Sequence, residues 1–242
     1  MGLSITTTSV ASQTVGVKCL VYSEAGSGKT LLCATAPSPL IISAESGLLS
    51  LRKENIVRAY GKDTPGITYD IPVLQITSLQ DMYDAYAYCV DPKNQFGTLC
   101  IDSISEIGEV LLASEKRNTK DPRKAYGEMI DRMVELIRAF RDIQGRHVYM
   151  TAKIEPLKEE VTGSVKWAPS MPGSKLGNQL PYFFDEVFRL GVGKDAQGKA
   201  FRFLQTQPDF QFTAKDRSGS LDVYEQPHLG NIFQKIIGGN NG

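Results

Sequence analysis

The chain has 242 residues, 41% of them hydrophobic, and Lys plus Arg balance Asp plus Glu at 27 each. That length and apolar content supply a sizeable core, which excludes a disordered chain and a small disulfide scaffold. The balanced charge excludes a globally basic nucleic-acid binder, so any such function must rest on local charge.

The four cysteines, Cys19, Cys33, Cys89 and Cys100, lack the close pairing of a zinc knuckle or a redox dithiol. No apolar run approaches membrane-spanning length, and the Ser- and Thr-rich start lacks a basic, then apolar, signal pattern. We expect a cytoplasmic protein with no membrane partner: a flexible segment over 1–14, a single domain over 15–237 and a flexible tail over 238–242.

In chain order, short apolar runs alternate with segments of helical period, which predicts an α/β fold with a mostly parallel sheet flanked by helices. The predicted strands are Val17 to Tyr22, Leu40 to Ala44 after the turn at Pro37-Ser38-Pro39, Val73 to Ile76, Leu99 to Ile101, and His147 to Thr151. Ser78 to Val90 and Lys124 to Ile143 read as helices, the second carrying Met129, Met133, Ile137 and Phe140 at steps of three or four. Pro156 to Gly177, rich in Pro, Gly, Ser and charge, reads as a long loop of the kind that carries function. After it, Glu186 to Gly191, Ala200 to Gln205 and Leu221 to Tyr224 are expected to add C-terminal antiparallel strands.

Where the first strand should turn into a helix stands Ser23-Glu24-Ala25-Gly26-Ser27-Gly28-Lys29-Thr30. In a P-loop, backbone amides wrap a phosphate, Lys reaches the β- and γ-phosphates, and the next hydroxyl ligates Mg²⁺. Gly26 and Gly28 supply backbone freedom, Lys29 the charge and Thr30 the hydroxyl, so ATP and Mg²⁺ are the expected cofactors, with Glu24, Ala25 and Ser27 completing the cradle. Ser23 replaces the first Gly of the pattern and costs the strand exit some freedom without removing a phosphate contact. Leu99-Cys100-Ile101-Asp102-Ser103 offers Asp102 at a strand end as the carboxylate on the metal side; the alternative is an Asp that merely caps the next helix. Glu45, ending the second strand, is the candidate for activating water, against a solvated loop Glu. Thr151, with Lys153 behind it, is the candidate sensor of the γ-phosphate, against a plain strand-end Thr.

These pieces, in this order, resemble the RecA-like ATPase core, and the whole chain from about Val15 to Ile236 looks most like the phage-encoded RecA-like ATPases of the Sak group. The residues that carry this are the P-loop, Leu99 to Ser103, Met171-Pro172-Gly173-Ser174-Lys175, Leu180 to Val187, and Thr213 to Gly219. The resemblance implies a DNA-recombination ATPase that binds single-stranded DNA, anneals or pairs strands in the host cytoplasm, and assembles with itself into a ring or filament. A single-strand-binding protein is a further implied partner. It also implies that Lys215 and Arg217 act across a subunit interface on a neighbour's γ-phosphate; on a strand, alternate residues share a side and can reach one ligand, whereas a solvated turn is the plainer reading.

DNA contacts are implied in two places. The first is the basic stretch with Lys116, Arg117, Lys120, Arg123 and Lys124, followed by Tyr126. The second is the segment with Lys166, Trp167 and Lys175, where Glu155, Glu159 and Glu160 dilute the charge; cations would pair with phosphates and an aromatic would stack on a base. Two other readings stay open: an ATP-binding assembly module with little turnover, and a helicase or loader, which shares the Lys-x-Arg element. A small-molecule kinase fits poorly, because its Arg-rich lid has no counterpart in 156–177, which holds no Arg.

Overall fold

The computed structural model describes residues 5, 7, 16–45, 48–158 and 163–238. The segment expected to be flexible at the start lies outside them except for positions 5 and 7, as does the expected tail except for Gly238, which closes a helix.

Six parallel strands form the centre of the sheet, in the order β3 (Val73–Gln75), β2 (Pro39–Ser43), β4 (Thr98–Asp102), β5 (His147–Lys158), β1 (Lys18–Tyr22) and β7 (Glu186–Lys194). Beyond β7, β8 (Ala200–Gln205) and β10 (Tyr224–Glu225) run antiparallel, while β9 (Lys215–Asp216) pairs with the start of β7. The mixed α/β fold expected from the periodicity, largely parallel with antiparallel C-terminal strands, is the fold the chain adopts.

Strands β1, β2 and β4 are buried along their whole length because helices cover both faces. Alternation sends Leu20 and Tyr22 to one face, against α3 (Leu79–Val90), α4 (Ile104–Asn118), α5 (Pro122–Arg141) and α6 (Ser174–Phe183). Cys19 and Val21 go to the other face, against α1 (Lys29–Leu32), the 3₁₀ turn Cys33–Thr35 and α7 (Leu229–Gly238). A smaller helix, α2 (Lys53–Tyr60), covers the outer side of α1 through Ile56. The four cysteines are free and buried, the small-hydrophobe role. No helix among the described residues is long and apolar enough to cross a membrane.

The long loop expected over 156–177 is corrected. Strand β5 continues to Lys158, turns, and pairs antiparallel with β6 (Val165–Ser170), after which α6 begins at Ser174. Pro156 is tolerated in β5 because its partner Trp167 sends its N–H away from β5, to the Gln211 carbonyl at 2.6 Å, so the pair needs no amide from Pro156.

Candidate nucleotide site

The carboxyl ends of β1, β5, β4 and β2 bring the sequence candidates to one edge of the sheet. Register sets the level: Val21 lies beside Thr151, and Ser43 beside Asp102. Strand β5 stands between the phosphate-loop strand and the strand that carries Asp102.

Residues 23–30 leave β1 as a loop with Gly26 at φ 74° and Gly28 at φ 112°, conformations that glycine adopts at little cost. Buried Ser23, in place of the expected Gly, shares a hydrogen bond of 2.5 Å with the Ser27 hydroxyl, which also donates to the Glu24 carbonyl at 2.9 Å. Its hydroxyl therefore braces the loop from within. The Lys29 ammonium donates to the Ser23 and Glu24 carbonyls at 3.0 and 3.1 Å. Burial lowers its pKa, opposed by the charges of Asp102 and Glu45.

Asp102, 1% exposed, is the centre of the site. One carboxylate oxygen accepts from the Thr30 hydroxyl at 2.5 Å and the other from the Thr151 hydroxyl. Asp102 is not the helix cap: that role falls to Ser103, whose hydroxyl accepts from the Glu106 amide at 3.3 Å. Thr151 is fully buried and thus touches Asp102 itself. Lys153, two residues on, is paired with Glu106 at 2.7 Å, yet its charge is felt at Lys29.

Glu45 is half-buried. The Ala44 amide donates to the Asp102 carbonyl at 3.2 Å and the Glu45 amide to the Ser43 hydroxyl at 3.2 Å, which turns the chain at the end of β2. Burial, and then the charge of Asp102, raise its pKa; the nearby Ser103 and the charge of Lys29 oppose them. A carboxylate with raised proton affinity is the form a general base takes.

The donor set suits a hydrated Mg²⁺, which takes one or two carboxylates and hydroxyls and leaves its remaining positions to water and phosphate. Thr30 and Asp102 are the residues that would hold it. Among the described residues no group of three or more His, Cys, Asp or Glu could cage a metal unaided.

Two contributors carry no sequence motif. Tyr149, buried on β5, donates its hydroxyl to the Lys29 carbonyl at 2.8 Å, and Arg202 on β8 donates Nε to the Ser27 carbonyl at 2.7 Å. A Tyr within an apolar strand and an Arg in a hairpin become visible only when the sheet order sets them beside the loop.

Other candidates lie elsewhere. Lys215 and Arg217, expected to act on a neighbour's γ-phosphate, lie at the end of β9, which closes at Asp216. The Lys215 ammonium is taken by the Pro181 and Phe184 carbonyls at 2.9 and 2.5 Å, the orphan acceptors at the end of α6, while Arg217 pairs with Asp185 at 2.7 Å. The basic stretch forms the α4–α5 corner, with Lys116 and Arg117 in the last turn of α4, Lys120 in the connection, and Arg123 and Lys124 in the first turn of α5. All five are exposed, and the Lys116 ammonium stands 5.3 Å from the Tyr126 ring centre. An open depression of about 470 Å³ is lined by Lys116, Arg117, Asn118, Thr119, Lys120 and Pro122. Lys166 and Lys175 are exposed on β6 and α6, and Trp167 is half-buried, its backbone tied to Gln211 and Thr213. Glu159 and Glu160 lie outside the described residues.

Residues 15–218 match the profile of a family described as an AAA domain, AAA_24. No curated protein sequence matches the chain. Similar solved structures include a KaiC-like protein from the hyperthermophilic archaeon Pyrococcus horikoshii OT3, 17% identical over 78% of this chain and 77% of that one with a TM-score of 0.40. Another is the RadB recombinase, 16% identical over 80% of this chain and 89% of that one, at 0.46.

Proposed function

The chain belongs to the AAA-domain family, and from that premise we propose that it is an ATP- and Mg²⁺-dependent ATPase that binds single-stranded DNA and promotes strand annealing or pairing in phage recombination. The observation that carries the enzymatic half is the buried Asp102 carboxylate, held between the Thr30 and Thr151 hydroxyls beside Lys29.

Lys29 would exchange the Ser23 and Glu24 carbonyls for phosphate oxygens and offset their charge. Mg²⁺, when bound by Thr30 and Asp102, would supply electrostatic stabilisation of the transferred phosphoryl group. Glu45 would orient water and accept its proton, and Thr151 would report the state of Asp102 to the β5–β6 hairpin that follows it. A neighbouring copy would deliver Lys215 and Arg217 in trans, once they leave the Pro181 and Phe184 carbonyls and Asp185. The exposed corner at 116–124, with Tyr126 beside it, combines phosphate-pairing cations with a ring able to stack on a base; Lys166, Trp167 and Lys175 offer a second such element.

The alternative is an ATP-bound assembly module with little turnover, in which Glu45 is a loop residue that activates no water.

ATP turnover with and without single-stranded DNA, at two salt concentrations, on the wild type and on Lys29→Ala, tests the proposal. Stimulation that fades with salt and vanishes in the variant is expected, because phosphate contacts release counterions. Turnover that ignores DNA would keep the ATPase and remove its DNA partner; absence of turnover in the wild type, with ATP still bound, would favour the assembly module.

A further inference from the structure

Arg202 belongs to no motif and stands far from the loop in sequence. Alternation along β8 places Arg202 and Leu204 on one face, Leu204 in the core beneath α7. Phe201 and Phe203 lie on the other face, each ring packed over a glycine of β7: a Cβ at Gly191 would stand 2.3 Å from Phe203 Cζ, and one at Gly193 2.9 Å from Phe201 Cζ. The two glycines thus seat the rings of β8 close against β7, and that seating sets where Arg202 points.

What it reaches is the phosphate loop. Its Nε donates to the Ser27 carbonyl at 2.7 Å, and a Cβ at Gly28 would stand 3.1 Å from Nε. The Ser27–Gly28 peptide is trans, and in a trans peptide the C=O and N–H point in opposite directions. Drawing the Ser27 carbonyl towards β8 therefore turns the Gly28 amide the other way, into the concavity of the loop. The same logic applies at two neighbouring peptides. The Gly28 carbonyl accepts from the Leu32 amide at 3.3 Å and the Lys29 carbonyl from the Tyr149 hydroxyl at 2.8 Å, which orients the Lys29 and Thr30 amides. Three successive carbonyls are thus held from outside by three different elements, β8, α1 and β5.

We propose that Arg202 is a positioning residue for nucleotide binding, which pre-orients the Gly28 amide toward the phosphates by holding the Ser27 carbonyl from behind. The proposal rests on the reading that this loop binds a nucleotide. Donors fixed in advance bind an anion without an ordering cost, so removing the brace weakens every ligand whose phosphate sits in the cradle, whether or not it carries a γ-phosphate.

The test is titration calorimetry of the full chain with ADP and with ATP in the presence of Mg²⁺, on the wild type, Arg202→Ala, Arg202→Met and Arg202→Lys. Loss of one charge-assisted hydrogen bond is expected to raise Kd about tenfold for both nucleotides in the Ala and Met variants. Lys, which can still donate to the Ser27 carbonyl, should recover most of the affinity. The Met variant keeps the packing of the aliphatic stem, so an equal loss in Ala and Met assigns the effect to the donor, and a loss in Ala alone would overturn the proposal in favour of packing. A loss confined to ATP would overturn it in favour of direct contact with the γ-phosphate, and unchanged affinities would overturn it outright. A wild type that binds neither nucleotide removes the nucleotide reading and this one together; a wild type that binds while the variants match it removes only this one.

Discussion

The nucleotide edge of the sheet and the α4–α5 corner are both rich in polar side chains, but they are built in opposite ways. At the sheet edge, Asp102 and Thr151 are buried and bonded to each other, and Thr30 and Lys29 are each tied to a named partner in the chain. At the corner, Arg117, Lys120, Arg123 and Lys124 are exposed and make no ion pair among the described residues. Only the backbone there is fixed, by the Asp121 cap and Pro122 at the start of α5. Burial sets the first region's geometry before any ligand arrives, because an unpaired polar group inside the protein is costly. The second keeps solvated cations whose attraction to a polyanion is long-ranged and screened.

The sharpest way to break this contrast is to remove a proton acceptor from the pre-set region without disturbing its shape. Glu45→Gln keeps the side-chain volume and removes the carboxylate's capacity to take up a proton. If Glu45 activates water, turnover should fall by about a hundredfold or more, with ATP affinity within a few fold of the wild type. Single-turnover kinetics alongside ATP binding would check it. Turnover left intact would make Glu45 a loop residue and shift the reading towards a binding module.

The corner should respond by degrees. Replacing Lys116, Arg117, Lys120, Arg123 and Lys124 by Ala is expected to weaken single-stranded DNA binding and to flatten its salt dependence. The slope of log K against log salt should fall by about 0.7 for each cation that meets a phosphate. Fluorescence anisotropy of a labelled oligonucleotide over a salt series reads both quantities, and an unchanged slope would move the DNA path elsewhere, first to Lys166, Trp167 and Lys175.

The same contrast explains what was legible in the sequence. Strand ends in a parallel sheet are marked by apolar runs that stop at polar residues, so Asp102, Thr151 and Glu45 could be placed beside the loop from pattern alone. Tyr149 and Arg202 could not, since a hydroxyl or guanidinium that reaches a carbonyl more than a hundred residues away leaves no local trace. The β5–β6 hairpin was hidden by Pro156, which reads as a breaker although its partner Trp167 asks it for no hydrogen bond. Helix α6 was hidden by Pro181 within it. Lys215 and Arg217 suggested alternation on a strand, but the pairing with β7 ends between them, and the free carbonyls closing α6 drew Lys215 away.

The smallest expected effect concerns a buried group remote from the loop. Glu186, at the start of β7, is 1% exposed; one of its oxygens accepts from the Ser218 amide at 3.2 Å and the other has no partner among the described residues. Burial, and then the charge of Asp216, push its pKa up to about 8 from an ordinary value of 4.5. Because the folded chain binds this proton more tightly than the unfolded one, the unfolded state holds fewer protons between those two values and stability falls as pH rises across that window. Glu186→Gln supplies the neutral form at every pH. Its Tm should therefore match the wild type near pH 5 and exceed it by a few degrees near pH 9, where the ionised carboxylate is left buried beside Asp216. Thermal melts of both proteins across that range decide it, and parallel curves would mean that water reaches Glu186 and that this end of β7 is built like the exposed corner, not like the nucleotide edge.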